Sequence, residues 1–552
     1  MDTRRLILLF IFGFSVLMLW EGWQREQRPR IEAPNPPAAA PSPAVAQGAA
    51  TAPPAQAAAD AAVPAAAAPA QKGEKIVVHT DLVTAEIDTL GATLKRVELL
   101  HHKESKDSTK NLVLLGPEHA YEAQSGLTGD GPNHRTLWNG KAGEYTLAPG
   151  QDALEIRLTA QGPNGLEVAK TYRFRRDSYL IDVALEVRNA GAAAVAPATY
   201  FQLTHDDKSA SDANTIAHTF GAQSFHGYAV YTEENKYRKV HFADIDKGKA
   251  EYPREAPDGW IAYVQHYFVS GWIPPAKGER KFAMQKLDDG TYTGYVRLPL
   301  GQIEPGATKR LAVELYAGPQ EQRRLAEVAP GFDLVVDYGW LTIVAWPLFW
   351  LLEKYHSLSG NWGVAIILLT VSIKLVFFPL SAASYKSMAK MKLITPRLQK
   401  IRETYENDRN KMNQAMMELY RTEKINPLGG CFPILVQIPV FIALYWVLLA
   451  AIELRHAPFF LWIHDLSALD PYYVLPILMT GTMVLQTRLN PVPPDPVQAK
   501  VMQFMPFIFS VFFFFFPAGL VLYWLVNNIL SILQQWQIQR MFNRDKPAHG
   551  KR

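Results

Sequence analysis

One charged side chain, Lys374, lies within the otherwise uncharged and largely apolar stretch 365–380. A cation at the centre of a membrane-spanning helix costs roughly 2.5–3.5 kcal/mol on insertion scales, so such residues usually face protein or a water-filled cavity. Thr370 precedes Lys374 by four residues and would lie on the same face of a helix. The pair predicts a wet, positively charged recess within a bilayer, which could hold an acidic stretch of polypeptide or conduct a small ion.

The alternatives for Lys374 are a structural ion pair and a side chain that extends to the membrane surface. Leu380, near the cytoplasmic end of the run, is six residues away, which is far for a lysine side chain. Glu453 is the only acidic residue in the apolar runs between 361 and 541, and it lies near the end of its run. Scattered uncharged polar residues of these runs are expected mainly to hydrogen-bond between helices. Among them are Ser372, Gln437, Thr480, Thr482, Gln486, Ser510, Asn527 and Asn528.

Composition excludes several classes of function. The 56 basic and 52 acidic residues give a formal net charge of +4, without the excess typical of proteins that bind DNA directly. Cys431 is the only cysteine, so a disulfide framework within the chain is excluded. No Gly-x-x-x-x-Gly-Lys-Ser/Thr run is present, and His101 and His102 are adjacent rather than at metal-ligand spacing. We therefore expect no cofactor, no metal and no nucleotide hydrolysis.

The first half of the chain combines one apolar segment with a large polar domain. Residues 1–23 carry two arginines before an apolar run that ends in tryptophans, and they predict an uncleaved signal-anchor transmembrane helix with its N-terminus in the cytoplasm. A cleaved signal peptide is the alternative. Residues 24–74 are rich in alanine and proline and predict a disordered linker. Residues 75–330 alternate apolar and polar side chains and predict a large β-sandwich outside the cytoplasm.

The second half predicts a polytopic α-helical membrane protein. Apolar runs that predict crossings lie at about 361–382, 430–452, 471–489, 502–516 and 518–541. Pro517 and Gly519 mark a break between the last two, because a crossing takes about 20 residues. With the signal anchor, these runs give six transmembrane helices, five of which form a core at 361–541. A short basic tail at 542–552 then lies in the cytoplasm.

Residues 331–360 are apolar enough to be mistaken for a further crossing. Counting them as one would place the basic loop that follows outside the cytoplasm, against the positive-inside rule. Their tryptophans and Pro347 instead predict an amphipathic helix lying on the outer membrane surface.

The basic loop at 384–426 predicts a cytoplasmic helical hairpin. Met391, Ile394 and Leu398 repeat at spacings of three and four, and Met412, Met416 and Leu419 form a facing stripe beyond a turn at 406–410. The loop carries ten Lys or Arg residues against five Asp or Glu residues. This excess is explained either by topology and contact with membrane lipids or by a dock for an acidic or RNA-containing partner, such as a ribosome with its nascent chain. Candidate contact residues are Lys390, Lys392, Arg397, Met412 and Met416.

Several long stretches of the chain resemble the Gram-negative YidC membrane protein insertases, of the YidC/Oxa/Alb family. They are "DYGWL", "GNWG", "SYKSMAKMK", "KINPLGGCFPILVQIPVFIALYWVLL", "ELRHAPFFLWIHDLSALDPYYVLPILM" and "FPAGLVLYWLVNNILSILQQW". The resemblance implies a bacterial inner-membrane protein whose β domain is a periplasmic β-supersandwich. It also implies a non-enzymatic insertase and chaperone for nascent inner-membrane proteins, working alone or with the Sec translocon, the ribosome and the signal recognition particle pathway.

The resemblance further implies a positively charged hydrophilic groove that receives the polar tail of a client. It also implies an apolar outer helix surface, here called the slide, along which the hydrophobic segment of the client moves. Lys374 stands where the family commonly has Arg, and Trp524 where close members have Tyr. Thr370 and Tyr523 match other groove positions, and Pro439 and Phe512 match slide positions. From the same runs we add Gln437, Gln486 and Asn528 as groove candidates and Phe432, Pro433 and Phe441 as slide candidates.

Two other functions fit parts of the sequence. A secondary transporter could use Lys374 in an ion path. Such transporters are typically built from two matching halves with broken helices, and no internal repeat is found in this sequence. A membrane-anchored carbohydrate enzyme could use the β domain, but that would give the five later helices no role.

Overall fold

The computed structural model describes residues 63, 72–105, 107–206, 208, 225–406, 408–423, 432–489 and 496–544, without the side chains of Lys392, Arg409, 432–435, 496–499 and 542–544. The predicted signal anchor, most of the linker and the end of the tail lie outside these residues. The described chain divides after Val336 into two compact units. We call them the sandwich unit, up to Val336, and the helical unit, from Asp337 onwards.

The sandwich unit consists of two large, mostly antiparallel sheets. The strands are β1 Lys75–His79, β2 Val83–Asp88, β3 Thr93–Lys103, β4 Asn111–Leu115, β5 Glu122–Leu127, β6 Gly143–Thr146, β7 Ala153–Gln161, β8 Leu166–Arg175, β9 Leu180–Asn189, β10 Ala198–His205, β11 Gly227–Thr232, β12 Lys236–Val240, β13 Glu255–Ala256, β14 Trp260–Val264, β15 Phe268–Ile273, β16 Arg280–Lys286, β17 Tyr292–Pro299 and β18 Thr308–Pro319. The first sheet has ten strands in the order β13-β16-β17-β10-β5-β3-β2-β1-β6, with β4 paired to β3, and the second has eight in the order β12-β11-β14-β15-β18-β9-β8-β7. Two short helices, α1 (Phe242–Asp246) and α2 (Gln322–Val328), accompany them. The predicted β-sandwich is confirmed.

Side-chain alternation explains the outer strands but not the central ones. In β7, Ile156, Leu158 and Ala160 are buried while their neighbours face solvent, as period-two alternation predicts. By contrast, β10 and β14 are buried along their whole length. A hydrogen bond joins the two sheets across the core: the indole Nε1 of Trp272 on β15 donates to the backbone carbonyl of Gln202 on β10 at 3.0 Å.

A buried lysine ties the two sheets together without a carboxylate. Lys170 on β8 is fully buried and donates from Nζ to the carbonyl oxygens of Gly91, Ala92 and Ser125 at 3.0, 3.2 and 2.7 Å. Its ammonium also lies 4.8 Å from the centre of the Trp138 ring. All three donors of the ammonium are therefore satisfied.

One residue of the predicted linker is held by the sandwich unit. Val63 is only 7% exposed and packs against Tyr200 and Tyr295. At this position the chain is therefore packed, although the composition of the linker predicts disorder throughout.

The helical unit contains eight helices within the described residues. They are α3 Thr342–Ser359, α4 Trp362–Val376, α5 Phe378–Thr404, α6 Arg409–Thr422, α7 Phe432–Ala450, α8 Val474–Leu489, α9 Pro496–Phe513 and α10 Ala518–Arg544. Among them no single helix is both long and apolar enough to cross a bilayer, whereas α4 and the first half of α5 meet that criterion as a pair bent by 65°.

The helix boundaries agree with most of the predicted breaks and differ at one. The break at Pro517 lies between α9 and α10 as predicted, and the predicted hairpin turn lies between α5 and α6. The apolar run predicted at 361–382, however, is not one straight helix. It bends at Phe377, and α5 then continues through Pro396 into the hairpin. Proline at the second position of α5 explains the break, because it cannot donate the hydrogen bond that would continue α4.

Helix α3 has two unlike faces. Ala345, Phe349 and Leu352 are buried against neighbouring helices of the unit, whereas Ile343 and Trp346 are 86% and 59% exposed. The exposed face is apolar too as far as Trp350, so this part of the helix is not amphipathic as predicted, and its place on the outer membrane surface stays a prediction. Pro347 is accommodated inside the helix.

Candidate functional site

The interior of the helical unit contains a set of buried polar side chains. Their exposed fractions are 1% for Thr370, 7% for Lys374, 5% for Ser531 and 1% for Gln535. They lie on α4 and α10, and α10 packs along α4, α5, α7 and α8. Apolar helices thus enclose a polar seam, because each polar group in a medium without water needs a partner from another helix or its own backbone.

Lys374 lies at the centre of this seam and is held by α10. Its Nζ donates to the Ser531 Oγ at 2.8 Å, and the Ser531 hydroxyl donates in turn to the Asn527 carbonyl at 2.7 Å. The Gln534 Nε2 donates to the Lys374 backbone carbonyl at 3.3 Å. Within the described part of the chain, Lys374 forms no ion pair with a carboxylate.

Thr370 lies one turn from Lys374 on α4, as predicted. Its hydroxyl donates to the Ile366 carbonyl in its own helix at 2.6 Å. This bond satisfies a hydroxyl buried in an apolar environment and leaves the oxygen lone pairs available as an acceptor.

The predicted aromatic pair on α10 packs against a residue that was predicted for the slide. The Tyr523 and Trp524 rings lie 6.1 and 5.1 Å from the Phe441 ring of α7, centre to centre. The Trp524 ring also meets the Phe513 ring edge-on at 4.2 Å. The Trp524 Nε1 is buried and has no acceptor among the described residues.

The remaining groove candidates are spread over three helices. Asn528 on α10 donates from Nδ2 to the Met479 sulfur of α8 at 3.5 Å, which joins these two helices. Gln437 on α7 and Gln486 on α8 are half-buried. Neither glutamine makes a hydrogen bond to a described residue, so their place in the groove stays a prediction.

The slide candidates differ in what surrounds them. Pro439 lies inside α7 and is half-buried, as is Phe512 on α9, whose ring is 6.3 Å from the Phe509 ring. Phe432 and Pro433 begin α7, but their side chains lie outside the described set. The most exposed apolar residues of α9 are others, which the sequence did not single out. They are Phe504, Phe507, Ile508 and Val511, between 53% and 60% exposed.

Helices α5 and α6 form the predicted hairpin and pack through apolar side chains, including methionines and leucines. Ile394 and Leu398 on α5 are buried and pack against Met391, Met416 and Leu419. Arg397 donates to the Glu423 carboxylate at 2.5 Å across the two helices and is largely exposed. Lys390 and Met412 are half-buried outside this core. Lys392 is part of α5, but its side chain is outside the described set.

Sequence reasoning missed three functional candidates on α10. Ser531, Gln534 and Gln535 follow Asn527 at spacings of four, three and one, so they share one polar stripe of an otherwise apolar helix. The Gln535 Nε2 donates to the carbonyl of Leu489 at the end of α8, at 3.4 Å. The spacing could have revealed the stripe, but not the partner of each side chain.

Comparison with known proteins gives matches along nearly the whole chain. Residues 75–351 match the family model "YidC periplasmic domain" and residues 354–546 match "60Kd inner membrane protein". The "Membrane protein insertase YidC" of Methylobacillus flagellatus is 55% identical over 559 residues, covering 99% of this chain and 98% of that protein. The protein of the same name from Nitrosospira multiformis is 53% identical, covering 98% and 97%. A crystal structure of an active YidC insertase covers 86% of this chain and 95% of its own, at 17% identity and a TM-score of 0.38.

Proposed function

The chain belongs to the YidC family of membrane protein insertases, and we propose that its clients enter the bilayer along a groove centred on Lys374. Like its relatives, it is an inner-membrane insertase with a periplasmic domain, acts on inner-membrane proteins, and is not an enzyme. The proposal concerns how the chain performs this insertion, and through which residues.

The bonding of Lys374 is the observation that carries the proposal. An ammonium offers three donors, and within the described residues Lys374 uses one, to a neutral hydroxyl. A buried cation without an anion is costly unless an anion arrives during function. The carboxylate of a client's polar tail is an anion of the right size and chemistry.

The energetics support a shortened, polar path for that tail. A carboxylate at the bilayer centre is costly on its own, and an opposite charge at about 4 Å lowers that cost by about 4 kcal/mol at an effective dielectric of 20. Burial of the client's apolar helix then supplies the driving force, at about 25 cal/mol per Å². No nucleotide hydrolysis is needed for this sequence of steps.

A slide for the apolar segment of the client would use the outer face of α9. Phe504, Phe507, Ile508 and Val511 are exposed there, and α9 packs mainly on α8 within the described residues. Phe512 and Pro439 would border this surface. Phe441 would line the groove instead, because it packs on Tyr523 and Trp524.

For the topology, we propose six crossings with both termini in the cytoplasm. The signal anchor at 1–23 and the five runs of the core would be the crossings, with α3 on the periplasmic surface and the β-supersandwich in the periplasm. The exposed tryptophans of α3 support its place at the interface.

The basic hairpin and the membrane context suggest the partners. We propose that α5 and α6 face the cytoplasm and receive the nascent chain from a ribosome or from the signal recognition particle pathway. The exposed Arg397 and Met417, the latter 65% exposed, fit an adaptable surface for such partners. Cooperation with the Sec translocon belongs to the same proposal.

The test uses the purified protein in liposomes and a single-span client with an acidic N-terminal tail. Protease protection of the tail is compared for wild type, Lys374→Arg and Lys374→Glu, with a neutral-tailed client as the control. We expect Arg to retain translocation of the acidic tail and Glu to lose it. Equal protection with all three proteins would refute a capture role for Lys374. Ion flux without protection by wild type would favour a transporter instead.

A further inference from the structure

We propose that Ser531 binds the Lys374 ammonium when no client is present. Because the Ser531 hydroxyl is uncharged, it leaves the positive charge of Lys374 available to capture the acidic tail of a client. This inference rests on the proposed function and adds a specificity-determining residue on α10 to the groove. The contact that suggests it is the 2.8 Å hydrogen bond from the Lys374 Nζ to the Ser531 Oγ.

The direction of the hydrogen bonds defines the role of Ser531. Its hydroxyl proton is engaged by the Asn527 carbonyl at 2.7 Å, one turn earlier in α10. The oxygen therefore acts as an acceptor towards Lys374 and has no second proton with which to repel the ammonium. Both side chains are more than nine-tenths buried, so bulk water does not replace this contact.

A neutral acceptor holds the ammonium without cancelling its charge. The bond from Lys374 to Ser531 has one ionised partner, whereas a bond from Lys374 to a carboxylate has two and adds the Coulomb attraction of opposite charges. A client's carboxylate can therefore displace the Ser531 hydroxyl. After its release the hydroxyl keeps its bond to Asn527, so no buried donor is left unsatisfied.

The helix backbones keep Lys374 in place when Ser531 releases it. The Gln534 Nε2 donates to the Lys374 carbonyl at 3.3 Å, and the Tyr385 hydroxyl donates to the Ser531 carbonyl at 3.4 Å. These bonds join α4, α5 and α10 independently of the Ser531 side chain. A change at position 531 therefore alters the electrostatics of the ammonium more than the packing of the helices.

A resident carboxylate at this position should block the groove. Ser531→Asp would place a carboxylate permanently beside the Lys374 ammonium. Ser531→Asn introduces a side chain of the same size as Asp but keeps the acceptor uncharged. We expect Ser531→Asp to lower translocation of an acidic-tailed client by about tenfold or more, the scale of one retained charge pair. We expect Ser531→Asn to lower it by no more than about threefold, since an amide oxygen binds an ammonium less strongly than a carboxylate does.

Three comparisons make the experiment decisive. Ser510→Asp adds a carboxylate at an equally buried serine that does not bond to Lys374, so it measures the general cost of the substitution. A neutral-tailed client reports whether each variant folds and still inserts. Lys374→Glu is measured in parallel, and its loss of acidic-tail translocation shows that the proposed function holds.

The inference is overturned if Ser531→Asp and Ser531→Asn lower acidic-tail translocation equally, because the effect would then be steric. It is also overturned if Ser531→Asp spares the acidic tail while Lys374→Glu abolishes its translocation. A loss with Ser531→Asp for both clients, matched by Ser510→Asp, would refute a specific role for position 531. Loss restricted to the acidic tail would support it.

Discussion

Two buried lysines of this chain have opposite arrangements. Lys170 in the sandwich unit bonds to three backbone carbonyls and lies over Trp138. The Lys374 ammonium in the helical unit bonds only to the Ser531 hydroxyl within the described residues. The first ammonium is satisfied by the fold and is structural, whereas the second keeps donors for a further partner. Burial alone would not separate these roles, but the number of bonds made does.

Removal of the Lys170 ammonium should destabilise the sandwich unit. Lys170→Met keeps most of the side-chain volume but leaves the carbonyls of Gly91, Ala92 and Ser125 without their donor. We expect the free energy of unfolding to fall by about 1–3 kcal/mol, the cost of leaving a buried acceptor unsatisfied. Chemical denaturation followed by tryptophan fluorescence measures the change. Unchanged stability would show that the contacts are incidental.

The titration of Lys170 gives the same variant a pH signature. Burial lowers the pKa of Lys170 to about 7, below its value in an unfolded chain. Above pH 7 the unfolded state therefore binds more protons than the folded state, and stability rises with pH. We expect wild type to gain stability relative to Lys170→Met as the pH increases from 7 to 9. A constant difference between the two proteins over this range would contradict the prediction.

At the scale of elements, the segment between α7 and α8 organises the start of two helices. Asp470 is buried, and its carboxylate accepts hydrogen bonds from the Trp462 indole at 3.0 Å and from the backbone amides of Tyr472 and Leu475 at 3.0 and 2.7 Å. The same segment accepts the Gly519 amide of α10 at 2.8 Å through the Leu466 carbonyl. A Cβ at position 519 would lie 3.0 Å from that oxygen, which explains the glycine.

Loss of Asp470 should loosen this segment. Asp470→Ala removes the acceptor for the first turn of α8 and for a buried indole, so we expect a loss of about 2–4 kcal/mol. Asp470→Asn is the matched control and should lose less, because its one amide oxygen still accepts. Thermal unfolding in detergent compares the three proteins. Equal midpoints for Ala and wild type would show that the carboxylate does not anchor the segment.

At the scale of the molecule, the chain combines two units with separate cores. The sheets of the sandwich unit close on each other through contacts such as Trp272 to Gln202, and the polar seam around Lys374 lies entirely in the helical unit. The two family models likewise meet between residues 351 and 354. Among the described residues, the hydrogen-bond partners of Lys374 from other elements, Ser531 and Gln534, belong to the helical unit.

Deletion of residues 75–320 tests this division. We expect the shortened protein to keep insertion of the single-span client in liposomes, because the Lys374 and Ser531 pair lies outside the deleted residues. Protease protection of the client's tail is the measurement, with the full-length chain in the same lipid as the reference. Complete loss of insertion by a deletion protein that still folds would assign an essential role to the sandwich unit and would revive the carbohydrate-enzyme alternative.

Local chemistry determined much of this protein in advance. Apolar runs and their proline and glycine breaks predicted the order and approximate bounds of the later helices, because these signals act within a few residues. Period-two alternation predicted the β-sandwich, and the cost of a buried charge marked Lys374. The family resemblance carried by long motifs was confirmed. In each of these cases the information lies in neighbouring residues or in a contiguous match.

Only the tertiary structure decided the partners. Ser531 is 157 residues from Lys374, and the carbonyls that hold Lys170 are 45 to 79 residues away from it. The bend at Phe377, the inward position of Phe441 and the full burial of β10 and β14 also depend on which elements pack together. A side chain's type limits the bonds it can make, but packing of distant elements selects among them. For that reason the candidate cation could be found in the sequence, and its neutral partner could not.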